Sequence, residues 1–160
     1  MIRRTYALSF LACLVVLAAA LAGCSGKEVG RKCDLGLTPA EGDSVVASPS
    51  LDCVSRVCLK IPKQDGSKPE DSKPPTGNIG LCTDECEADE ECERVPESPC
   101  ETGFTCGIPV TVGPFCCKKF CMCKDYVVVP EGGQPLPAAC EDKPENTCCN
   151  LPGRAACTAF

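Results

Sequence analysis

Sixteen cysteines follow Cys24 in this chain, and no other feature limits its fold as strongly. They are Cys33, Cys53, Cys58, Cys82, Cys86, Cys92, Cys100, Cys106, Cys116, Cys117, Cys121, Cys123, Cys140, Cys148, Cys149 and Cys157. Spread over the 136 residues from 25 onward, they make up 12% of that stretch. Such a density marks a disulfide scaffold in an exported chain. The count is even, so every thiol has a partner available.

The chain needs those bonds. From residue 25 onward, 25 residues are Leu, Ile, Val or Phe, about 18% of the stretch, against 14 basic and 22 acidic side chains. A chain with less than roughly 20% of these residues and substantial net charge does not bury enough apolar surface to fold alone. Each disulfide contributes about 2–4 kcal/mol, largely by restricting the unfolded chain. The expected class is a small disulfide-rich fold, mostly β and loop with little helix. It forms a single compact body.

The N-terminal segment explains how so many thiols reach an oxidising compartment. Arg3 and Arg4 precede an apolar run over 7–20, and no charge returns until Lys27. A basic head, an apolar stretch and small residues at its end form the secretory signal pattern. Its last residues, Leu21-Ala22-Gly23-Cys24, resemble the lipobox of bacterial lipoproteins. That resemblance implies cleavage after Gly23 and acylation (diacylglycerol plus a further chain such as palmitate) of Cys24. It also implies outer-membrane sorting, since Ser25 stands where Asp favours inner-membrane retention. An ordinary signal peptide or an uncleaved membrane span is the competing reading. The expected organisation is a signal peptide over 1–23, lipidated Cys24 with a tether over 24–32, and a disulfide-rich domain over 33–160. The tether from 25 to 32 reaches at most ~28 Å.

Within the domain, residues 44–47 and the alternating Val57, Leu59 and Ile61 before Pro62 predict strands. Residues 63–78 have no apolar side chain outside their prolines and predict a solvated, flexible loop. Three cysteines precede this loop and 13 follow it. If all pair, an odd number of bonds must cross it, so it lies within one body. Cys82, Cys86 and Cys92 suit a short turn with inward cysteines. In an extended chain Phe115, Cys117, Lys119, Cys121 and Cys123 would share a face. Residues 126–129 read as the best strand candidate. Adjacent Cys116 and Cys117 point apart and should find different partners, as should Cys148 and Cys149.

Specific chemistry is sparse. Structural zinc sites favour Cys-x₂₋₄-Cys pairs, yet no two cysteines here are separated by two residues and histidine is absent. Cys121-Met122-Cys123 is weighed as a soft-metal site, but disulfides are the expectation, with no metal and no cofactor beyond the lipid. Without histidine, Ser-His and Cys-His activation is unavailable, and no phosphate-binding glycine loop occurs, so no enzyme is expected. Seven of the ten residues over 84–93 are acidic. They lack the EF-hand pattern for calcium and read as a solvated face. The acidic balance argues against nucleic-acid binding. A disulfide-pinned protease inhibitor or surface-binding module, with 113–115 or Arg154 as reactive loop, is the alternative function.

Taken together, the lipobox, Cys82-Thr83-Asp84-Glu85-Cys86-Glu87-Ala88-Asp89-Glu90-Glu91-Cys92, Gly103-Phe104-Thr105-Cys106 and Phe115-Cys116-Cys117-Lys118-Lys119-Phe120-Cys121-Met122-Cys123-Lys124-Asp125-Tyr126 resemble the cysteine-rich lipoproteins of gliding myxobacteria. The resemblance implies an outer-membrane subunit of an adventurous gliding motility complex. Its partners would be other outer-membrane or periplasmic proteins, and Cys24 would attach it to the membrane.

Overall fold

Alternation sets the faces of the first sheet. Val57, Leu59 and Ile61 enter an apolar cluster, and Cys58 between them enters a second cluster built mainly of sulfur. The structure is a computed structural model that describes residues 28–141, 143 and 148. In it, β1 (Lys32–Asp34), β2 (Val45–Ala47), β3 (Cys58–Lys60) and β4 (Ile79–Cys82) form an antiparallel sheet in the order β1-β4-β3-β2. β5 (Phe104–Gly107) and β6 (Phe120–Cys123) make an antiparallel hairpin. The helical elements among the described residues are single 3₁₀ turns at Asp89–Glu91, Lys124–Tyr126 and Ala138–Cys140. The chain therefore has the small, disulfide-rich, mostly β-and-loop fold expected of it.

In register, Leu59 of β3 lies opposite Leu81 of β4, and both pack into a cluster with Phe104, Phe120, Met122 and Tyr126. This cluster is shared by the sheet and the hairpin. On the other face Cys33, Cys53, Cys58 and Cys82 gather with Leu35. Gly80 of β4 pairs with Cys33 beneath this sulfur layer. A Cβ there would sit 2.8 Å from the Leu59 carbonyl oxygen and 2.9 Å from the Cys58 sulfur.

Among the described residues, seven disulfides join fourteen of the sixteen candidate cysteines. Cys33–Cys58 and Cys53–Cys82 brace the sheet. Cys86–Cys106, Cys92–Cys121 and Cys100–Cys123 brace the hairpin. In chain order these six pair first with fourth, second with fifth and third with sixth, so their loops interlace. Cys116 and Cys117 do take different partners, Cys148 and Cys140. Cys149 and Cys157 lie outside the described residues, as does Cys24.

Three segments depart from their sequence reading. Residues 126–129 do not form a strand: Tyr126 ends a 3₁₀ turn and the valines run beside Gln64. The Gln64 amide donates to the Tyr126 carbonyl at 2.8 Å, and its side-chain oxygen accepts from the Val128 amide at 2.9 Å. No ladder grows there, because the neighbouring segment carries Pro62 and Pro69 and Pro130 follows the valines. The extended face over 115–123 is likewise confined to β6. Cys117 has a φ of 58°, in the left-handed region, and turns the chain before the strand begins. Finally, the body includes Val29, within the stretch read as tether. Val29 is 1% exposed, bridges to Arg94, and its carbonyl accepts from the Val95 amide at 2.9 Å.

Residues 63–78 contain no strand or helix, but they lie along the body. The Lys63 ammonium donates to the carbonyls of Pro69, Glu70 and Ser72 at 2.6–3.0 Å. The Ser72 hydroxyl donates to the Asp125 carbonyl at 3.0 Å. Among the described residues one disulfide, Cys53–Cys82, spans the segment.

Candidate functional site

Sulfur and carboxylate are the chain's main chemical resources, and the fold assigns most of the sulfur to structure. Cys33, Cys53 and Cys82 place their sulfurs within 4.8 Å of one another, as do Cys86, Cys92 and Cys121. Each of these atoms is bonded in a disulfide, so none offers the thiolate that a metal takes from cysteine. Cys121 and Cys123, weighed as a soft-metal pair, are bonded to Cys92 and Cys100.

The acidic stretch over 84–93 folds around the hairpin because its cysteines must reach it. Cys86 and Cys92 are buried, and Asp89 opens the 3₁₀ turn between them. Asp89 Oδ1 accepts from the Cys106 amide at 2.7 Å and from the Thr105 hydroxyl at 3.0 Å. Its Oδ2 lies 3.4 Å from Lys124. Burial pushes the Asp89 carboxyl up, but the Cys106 and Thr105 donors and the Lys124 charge outweigh it and hold the group below its ordinary value. Glu85 pairs with Lys118 and Glu87 with Lys119. The stretch is thus matched by a basic strip on the β6 side. The opposite charges of the two segments were present in the sequence, but it is the disulfides and the backbone bonds between Cys86 and Lys119 and between Cys121 and Asp84 that bring them together.

Asp125 is the polar centre that composition did not reveal. Fully buried, it accepts from the Glu101 amide at 2.6 Å, from the Thr102 amide at 2.9 Å and from the Thr102 hydroxyl. It closes the turn that leads into β5. Its neighbour Tyr126 is 1% exposed, and burial together with the Asp125 charge pushes the phenol up to about 12. Both groups have defined structural partners.

Residues 113–115, weighed as an inhibitor's reactive loop, are turned and not extended. The Cys116 amide donates to the Gly113 carbonyl at 3.1 Å, and Phe115 packs edge-on against Phe120 at 6.0 Å. Arg154 lies outside the described residues. Two open grooves flank Pro74, Pro75 and Thr76; the larger, about 570 Å³, runs between this segment and residues 38–43. Among the described residues no helix is long and apolar enough to cross a membrane. Fold and site together define a disulfide-rich, mostly β protein in which part of the acidic stretch is paired with Lys118, Lys119 and Lys124. Comparison with protein-family models, curated proteins and solved structures finds no match to this chain.

Proposed function

We propose that the chain is an outer-membrane lipoprotein, anchored through Cys24, that serves as a structural and interaction subunit of an envelope-spanning gliding motility complex. The observation that carries this reading is Leu21-Ala22-Gly23-Cys24 placed directly ahead of a disulfide-braced body. Two or more acyl chains hold a protein stably at a bilayer, each buried CH₂ adding about 0.8 kcal/mol. Four residues separate Cys24 from buried Val29. The body therefore works close against its membrane, through protein–protein contact and not through catalysis.

The test is affinity purification of the lipidated protein from its own membranes in mild detergent. Recovery of other envelope proteins in near-stoichiometric amounts is expected, and recovery of the protein alone would remove the complex from the proposal. Fractionation of a Cys24→Ala variant tests the anchor separately. The variant should leave the membrane fraction, and unchanged fractionation would rule out lipidation as the attachment.

A further inference from the structure

We propose that Leu51 and Val54 form a second membrane contact, inserting into the lipid surface beside the acyl anchor. The proposal rests on the reading of Cys24 as lipidated and adds to it a built-in orientation of the body.

Leu51 is 82% exposed and Val54 69% exposed, although apolar residues are scarce in this chain. Both stand on a loop that has little freedom. The Ser50 amide donates to the Arg56 carbonyl at 2.8 Å and the Arg56 amide to the Cys53 carbonyl at 3.1 Å. Cys53, between the two aliphatic residues, is buried and bonded to Cys82. Asp52 turns its carboxylate back onto the sheet, where Oδ2 accepts from the Asp34 amide at 2.8 Å. The tip is thereby left to Leu51 and Val54. A loop already ordered loses little conformational freedom on docking.

The loop also hangs from the point where the chain enters the body. The Cys82 amide donates to the Arg31 carbonyl at 2.7 Å, and the Cys82 carbonyl accepts from the Gly30 amide at 2.8 Å. The sulfur of this same residue holds Cys53, with the two Cα atoms 5.4 Å apart. The five Cα–Cα steps from Cys24 to Val29 reach at most ~18 Å, so the surface around Gly30 stays near the acyl chains. Arg31, Lys32 and Arg56 are exposed beside the loop, while Glu93 and Glu97 are exposed on the segment paired with Val29. Glu28 pairs with Arg31, leaving Lys32 and Arg56 to meet anionic headgroups. Exposed Asp34 and Asp52 lie on the same side, so its charge is near balance and opposes an anionic surface less than the acidic stretch over 84–93 does.

The chain contains no tryptophan, so Leu51→Trp introduces a single reporter. The full lipidated protein would be reconstituted in phosphatidylethanolamine–phosphatidylglycerol vesicles, with Val112→Trp, 76% exposed at wild type, as the remote control. The expected result is a blue-shifted emission at position 51 that brominated lipids largely quench, and neither effect at position 112. Protein that floats with the vesicles while the indole at position 51 emits as in water would overturn the insertion and leave the anchor reading intact. Protein that does not float defeats the anchor reading, and this proposal with it. A blue shift seen only in the detergent-purified assembly would assign the loop to a protein partner and likewise overturn the proposal.

Discussion

Thr83, just past β4, donates its buried hydroxyl to the carbonyl of Cys121 in β6 at 2.7 Å. Around this bond the two sheets are stitched by backbone. The Thr83 amide donates to the Val57 carbonyl, and the Cys121 amide to the Asp84 carbonyl, each at 3.1 Å. The seam is why one apolar cluster serves both sheets.

Thr83→Val keeps the shape of this side chain and removes its donor. A buried carbonyl that loses its partner costs about 1–3 kcal/mol. The urea midpoint should fall accordingly with the m-value unchanged, and Thr83→Ser should recover most of the loss. A midpoint equal to wild type would mean that the seam is held by backbone alone.

Gly80→Ala tests the sulfur layer from below. The added methyl would meet the Leu59 carbonyl at 2.8 Å and the Cys58 sulfur at 2.9 Å, and neither is a flexible chain end. Overpacking of this kind costs about 1–3 kcal/mol. Thermal unfolding should report the loss. An unchanged transition would show that β3 and β4 can separate to admit a methyl group.

The sequence made the class of fold legible, and two of its strands, because cysteine density and period-two alternation are local signals. Val57, Leu59 and Ile61 face the apolar cluster as their spacing required. Residues 126–129 misled for the opposite reason. Three successive valines fit a strand, but a strand needs a neighbour with free amides, and Gln64 beside prolines supplies two bonds and no ladder. β1 and β4 gave little signal: Lys32–Asp34 and Ile79–Cys82 are short and become strands by pairing with each other and with β3. Asp125 illustrates the same limit. Nothing near it in sequence marks it as a buried acceptor, since its donors lie 23 and 24 residues away.

Asp89 should give the oxidised protein an acid-sensitive step. Its folded-state value lies below the ordinary 3.8, so between the two values the unfolded chain binds more protons than the folded one. The stabilisation is therefore complete above the ordinary value and is lost as pH falls through the folded one. Melting temperatures measured across that interval should drop in the wild type and flatten in Asp89→Asn. Parallel curves for the two proteins would assign the step to another carboxylate.

Tyr126 offers the most direct test that the disulfides hold the core together. With Tyr6 removed in the signal segment, it is the sole tyrosine of the proposed mature chain. In the folded protein its phenol ionises at about 12, against an ordinary 10.0. The folded state keeps its proton more tightly, so this group's stabilising contribution is complete below the ordinary value and is lost as pH rises toward 12. Too little apolar surface exists to bury this ring without cross-links, because conformational entropy opposes folding by about 1–2 kcal/mol per residue. A rapid alkaline jump monitored by tyrosinate absorbance should give the high midpoint in the oxidised protein. After reduction and thiol blocking the midpoint should return to the ordinary value, with loss of near-UV circular dichroism. A reduced protein that kept the high midpoint would show that Phe104, Phe120 and Tyr126 pack without their disulfides.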